Sequence, residues 1–367
     1  MPSAMKQKKV FVITVGLLLC VLAASAAAAG DAGDPLISLS YLTGIFTDTV
    51  DRQVEEKLDQ SDAQILQGGT GQSSAGSTAA FWTESRLKAQ DVLLGTTGTS
   101  VMLLAGSAQL SFPAGAVVDV TTGTAVSSGT SLIPNHRYLV AEDTSALFMV
   151  TSKTAVVDYQ GNYSFSYSDA VDYNAMAGAL KTLNLFKGSY TGYGQGYDLE
   201  VAPTRLQALI MFIRVLGEEE QALSWSGSQP FTDIAPGTQS EKYVGYAYEK
   251  GYTNGYTATT FRPSQAISAN QYVEFMLRAL GYSSADNKVI SDALERALSC
   301  SLLTPGEVSI LQTTSFLRAD LVYVSYYALD AQLSGDTRTL RDTLLQRGVF
   351  TAAQSQTAAD MVPGQRK

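Results

Sequence analysis

Hydrophobic and polar positions change texture four times along the chain. Residues 10–24 form an almost unbroken apolar run, preceded by Lys6, Lys8 and Lys9 and followed by small residues over 25–30. This order is that of a secretory signal peptide covering 1–29, with cleavage expected within 26–29. The run is shorter than the roughly 20 apolar residues a bilayer span needs, and no later stretch reaches that length, so the mature chain is expected to have no membrane span. Within 30–66, apolar residues at Leu39, Leu42, Ile45, Phe46, Val50, Val54 and Leu58 recur at steps of three and four, which predicts an amphipathic helix.

The segment 67–90 begins GGTGQSSAGSTA and reads as a flexible linker. From 91 to 165, short runs such as SVMLLAG, AVVDV, RYLVAED and ALFMVTS alternate with Gly-, Ser-, Thr- and Asn-rich turns. Runs this short at this spacing predict a small all-β sandwich or roll. Beyond residue 168 the pattern becomes helical, and the chain repeats itself. QALIMFIRVLG at 207–217 aligns with QYVEFMLRALG at 271–281, a period of 64, and a weaker third copy runs FLRADLVYVSYYAL from 316. The expected boundaries are 169–225, 229–284 and a degenerate 287–335, each a helix, a loop and a helix. A tail, 336–367, holds Leu340, Leu344, Leu345, Val349 and Phe350 and should form one more short helix.

Charge and composition narrow the function classes. The chain has 34 acidic and 25 basic residues, and loss of the leader removes three lysines, so the exported protein is acidic and a poor match for nucleic acid. With 367 residues and 45% hydrophobic content there is room for two cored domains. Cys20 lies in the leader behind Leu19, where a lipoprotein signal wants a small residue, and Cys300 alone then remains, so no internal disulfide is expected.

In the β unit the polar candidates are Asp119, His136, Arg137, Glu142 and Asp143, none in a catalytic spacing. One histidine, in the turn PNHRY, builds neither a zinc site nor a Ser-His-Asp triad without partners the sequence does not show. No metal or cofactor is expected, and the chain reads as non-catalytic. In the repeats, Thr204-Arg-Leu-Gln207 and Ser268-Ala-Asn-Gln271 both fit a capping box that fixes a helix start. Arg205 then stands at the first helical position, where its planar fork and the helix terminus together could receive an anion.

Phe231-Thr-Asp233, Tyr243-Val-Gly-Tyr-Ala-Tyr-Glu-Lys-Gly251, Asn254-Gly255, Phe261-Arg-Pro263 and the capped helix after them resemble an S-layer homology repeat, whose family pattern runs F-x-D, an aromatic helix, a glycine loop, F-x-P and a T-R-A-E helix. The resemblance implies a surface protein of a Gram-positive-type, clostridial-like bacterium with a mostly α-helical pseudo-threefold prism of three repeats, so that with the N-terminal amphipathic helix and small all-β domain read above the chain is expected to be multidomain. The resemblance further implies secretion to the cell surface or cell wall and non-covalent anchoring on an anionic secondary cell-wall polysaccharide, a glycan linked to peptidoglycan. The family's ligand arginine falls on Arg205 in copy one and Arg318 in copy three, with Thr204, Gln207 and Asp320 as the motif's companions. Copy two carries Ala269 at that position, and Leu317 lacks the capping hydroxyl. Two other readings stay open, a protein-interaction scaffold built on degenerate repeats and a wall-anchored enzyme with its site in the β unit.

Overall fold

Branched and aromatic residues at alternate positions between residues 77 and 166 produce nine strands, and a change to steps of three and four produces helices thereafter. The computed structural model describes residues 77–142, 144–188, 192–282 and 292–362, with Gly364 and Arg366. All of these lie in the second of two units, Gly71–Lys367, the first being Met1–Thr70. The expected signal peptide, the amphipathic helix and the linker up to residue 76 lie outside the described residues, as does Asp143.

The strands are β1 (Ser77–Lys88), β2 (Val92–Thr96), β3 (Ser100–Ala105), β4 (Ala108–Ser111), β5 (Val117–Asp119), β6 (Thr124–Val126), β7 (Arg137–Val140), β8 (Ser145–Val150) and β9 (Thr154–Ser166). They form one sheet in the order β4-β8-β2-β9-β3-β7-β5-β6, with β1 on β9, and every pairing is antiparallel. β8 shows why: Ala146, Phe148 and Val150 are buried while Ser145, Leu147 and Met149 face out. The inward set packs on Leu87, Leu93, Val101, Leu103, Leu110 and Val157.

The linker expected over 67–90 is corrected over its second half, because Ser77–Lys88 is the strand that pairs with β9 from Ser77↔Tyr163 to Lys88↔Thr154. Its alternation is hidden by an irregularity between Ala79 and Thr83, where Phe81 is 82% exposed and Trp82 lies over the Arg137 guanidinium.

The helices are α1 (Tyr173–Thr182), α2 (Arg205–Val215), α3 (Glu219–Leu223), α4 (Gln239–Glu249), α5 (Ala269–Ala279), α6 (Ala293–Ser299), α7 (Pro305–Thr313), α8 (Arg318–Ala328), α9 (Leu340–Gln346) and α10 (Ala352–Asp360). Helices α2, α5 and α8, the second helix of each copy, each pack against the other two. Phe212 meets Phe275 at 5.6 Å, and the buried Tyr272 and Ser325 hydroxyls lie 2.6 Å apart.

Two details differ from the sequence reading. Copy three has a helix where a loop was expected, because Thr304 and Glu307 form a capping box with Pro305 at the first helical position. The tail forms two helices rather than one, split by Gly348 at φ +70°.

The β half is clamped to the helices through charged side chains. Arg86 of β1 donates to Asn174 Oδ1 at 2.8 Å and to the Gly194 carbonyl at 2.9 Å, and pairs with Glu200; both side chains of the ion pair are about 95% buried. Glu84 accepts from the Gly194 N–H at 2.7 Å. From the turn before β9, Lys153 reaches both carboxylate oxygens of Asp320 at 2.6 Å and the Thr314 hydroxyl at 3.0 Å.

Candidate functional site

The start of α2 is fixed as the sequence predicts. Thr204 Oγ1 accepts from the Gln207 N–H at 3.2 Å, and Gln207 Oε1 accepts from the Thr204 N–H at 3.0 Å. Both side chains are therefore spent on the capping box. The helix terminus offers no donors to an outside anion at its first two positions, contrary to expectation, because the Arg205 N–H donates to Gln265 O at 2.8 Å and the Leu206 N–H to Pro263 O at 3.1 Å. Copy two thus caps the helix of copy one with its own loop carbonyls.

What remains for chemistry is the Arg205 side chain. The residue is 2% exposed. Its Nε donates to Phe261 O at 2.9 Å, and the guanidinium carbon lies 5.0 Å from the Phe261 ring centre, 5.7 Å from Tyr256 and 6.0 Å from Phe275. Among the described residues no carboxylate comes within ion-pair distance of its terminal nitrogens; Glu274 and Asp233 act on it only through space. Burial pulls the guanidinium below its ordinary range, and those acids offset only part of this. It remains a cation at any ordinary pH.

Around it, Arg262 lies 3.7 Å from the Tyr256 ring centre, so one aromatic ring serves two guanidiniums. Arg262 holds a left-handed backbone, φ +60°, fixed by Asp233, whose two oxygens accept the Phe261 and Arg262 N–H groups at 2.8 and 2.7 Å. Asp233→Ala removes both bonds to a carboxylate and releases this loop. The expected stability loss in urea is about 2 kcal/mol, accompanied by loss of the aromatic cover on Arg205; a loss below about 0.5 kcal/mol would show that the loop holds its shape without Asp233.

The other expected site residues are placed differently. Arg318 repeats the backbone pattern, its N–H donating to Val201 O at 2.9 Å and the Ala319 N–H to Leu199 O at 3.0 Å. Its Nη1, however, faces the Asp198 carboxylate at 3.5 Å. Asp320 accepts from the Leu317 N–H at 2.9 Å, half of a capping box, and otherwise holds Lys153. Ala269 puts a buried methyl group at the third equivalent position.

Asp198 was missed in the sequence and Arg262 was read only as part of the Phe261-Arg-Pro263 motif, although the period of 64 superposes them. In the β half, His136 Nδ1 meets Asp119 Oδ2 at 2.7 Å, while Asp119 Oδ1 accepts the Thr121 N–H at 2.9 Å. Burial alone would raise the Asp119 carboxyl, but the bonds from His136, Thr122 and Thr121 outweigh it and hold the group below the usual carboxylate range. The pair therefore serves the β5–β6 turn. Among the described residues no His, Cys, Asp and Glu cluster could hold a metal, and no helix is long and apolar enough to cross a membrane.

Residues 230–268, which contain Asp233, Tyr256, Phe261 and Arg262, match the family model of the S-layer homology domain. The middle cell wall protein of Brevibacillus brevis is 27% identical over 128 residues, 33% of this chain and 12% of that protein, so the chain spans a small part of this relative's length. Among solved structures, ToxT from Vibrio cholerae aligns over 77% of this chain and 94% of its own at 10% identity, and a second ToxT structure over 80% and 99% at 11%. Both alignments have a TM-score of 0.12, which carries no likeness of fold. Residues 230–268 are thus an S-layer homology domain carried within the chain, and this domain and the cell wall relative together support a cell-surface location.

Proposed function

We propose that this protein is a non-catalytic surface protein, held on the cell wall without a covalent bond by its helical half, and that the Arg205 site takes an anionic group of a wall polysaccharide. The observation that carries the reading is a buried arginine whose terminal nitrogens have no carboxylate partner. Burying a charge without a counter-ion is costly, and a planar fork within an aromatic surround suits a carboxylate borne on a sugar, whose ring can lie against Tyr256. Support for a three-copy prism comes from the matching backbone bonds at Arg205 and Arg318 and from the mutual packing of α2, α5 and α8. The middle cell wall protein, named for the wall, supports the same location.

The test is sedimentation of the mature protein with purified walls, before and after the polysaccharide is chemically stripped. Native protein is expected to pellet with intact walls only, and Arg205→Ala to weaken this binding about tenfold or more, the worth of a charge-assisted hydrogen bond. Binding that survives stripping, or an Arg205→Ala protein that binds as the native one does, would overturn the reading.

A further inference from the structure

The two arginine sites are built on one template and differ in charge at two loop positions, Asp198 against Arg262 and Glu200 against Ser264, of which Glu200 is already taken by Arg86. The carbonyls that cap α2 belong to Pro263 and Gln265, and those that cap α8 belong to Leu199 and Val201. Each pair is offset by 64, the repeat period, so the loops of copies one and two hold equivalent places against the neighbouring helix. The same offset lays Tyr197 on Phe261, both buried, and Asp198 on Arg262. The last two share an unusual backbone, φ +49° at Asp198 and +60° at Arg262, which confirms the correspondence residue by residue.

The backbone therefore presents the side chain at position 198/262 in the same way beside each arginine. At one it is a second cation beside Arg205. At the other it is a carboxylate facing Arg318 at 3.5 Å. We propose that position 198/262 decides which arginine admits an anion: Arg262 adds a second cation beside Arg205 and leaves it to an outside anion, whereas Asp198 is a built-in anion that satisfies Arg318 and excludes acidic ligands there. This rests on the reading of Arg205 as a site for an anionic sugar.

Asp198 is poorly placed to swing aside. Its loop is gripped by β1 on both sides, at Gly194 by Glu84 and Arg86 and at Glu200 by Arg86, and the Asp198 side chain is itself only 11% exposed. The β half thus holds the blocking residue in position. A free acidic ligand would have to displace a carboxylate already tethered beside its arginine, and tethering gives that competitor a high effective concentration.

The decisive experiment titrates ¹⁵N-labelled mature protein with trigalacturonic acid as an anionic sugar probe, following the Nε–Hε resonances of Arg205 and Arg318 and the stoichiometry by calorimetry. Asn tolerates the left-handed backbone as Asp does, so Asp198→Asn removes the charge and keeps the loop. Native protein is expected to bind one equivalent with a shift at Arg205 alone, and Asp198→Asn to bind two with a new shift at Arg318. Arg262→Asp, the reverse exchange, should weaken the native site about tenfold. Two equivalents in the native protein, or one in both, would overturn the role of position 198 while leaving the Arg205 site standing. No binding by either protein would overturn both.

Discussion

Arg86→Ala is expected to lower the unfolding free energy by about 3–5 kcal/mol in urea, the range for removing one partner of a buried ion pair. The truncation leaves Glu200 about 95% buried without its cation, and it removes the donors that serve Asn174 and the Gly194 carbonyl. Most of the cost is the stranded carboxylate, so the double variant Arg86→Ala/Glu200→Ala should recover part of the loss. A loss under about 1 kcal/mol would put the pair in the class of exposed surface bridges and show that the β half is not clamped where the geometry places it.

Phe212→Ala should be of similar size, about 3–5 kcal/mol, for a different reason. The ring has no exposed surface and stands between the Phe275 ring at 5.6 Å and the Tyr252 ring at 5.3 Å, where α2 crosses α5. Removing it costs the transfer of a large apolar group and opens a cavity that the two neighbouring rings cannot collapse into without leaving their own contacts. Urea denaturation measures the loss, with Phe81→Ala as the comparison. That ring is 82% exposed, and its truncation should change stability by no more than about 0.5 kcal/mol. Equal effects from the two truncations would mean that α2 is not held by this cluster.

Legibility from sequence followed the length scale of the interaction. Capping boxes at Thr204/Gln207 and Ser268/Gln271 were readable because they are local, four residues long, and depend on residue type alone. The 3.6-residue pattern of α2 and α5 was readable for the same reason, and so was the alternation of β8. β1 was not, because Gly- and Ser-rich residues lead into it and the irregularity before Thr83 turns Phe81 and Trp82 outward together, which breaks the period of two.

The site was half visible. Arg205 could be placed by its motif, but that its backbone N–H would be taken by Gln265, and its fork left without an acid, depends on a loop some 60 residues away. Arg318 looked equivalent in sequence and differs through Asp198, a carboxylate in a loop rich in tyrosine and glycine. Lys153 with Asp320 and Arg86 with Glu200 are invisible for the same reason: an isolated charge does not announce its distant partner.

The direction of β1 has a mechanical consequence for a protein of the cell surface. Ser77 lies opposite Tyr163, close to where β9 ends at Ser166 and the chain enters α1 at Tyr173. Tension applied through the N-terminal segment and resisted by the helices would therefore peel the β1–β9 ladder from one end, a pair at a time, rather than load all its hydrogen bonds together. Such unzipping meets the first side-chain contacts to the helical half at Glu84 and then Arg86. Beyond that point the load on the ladder is shared with the contacts that Glu84 and Arg86 make to the helical half.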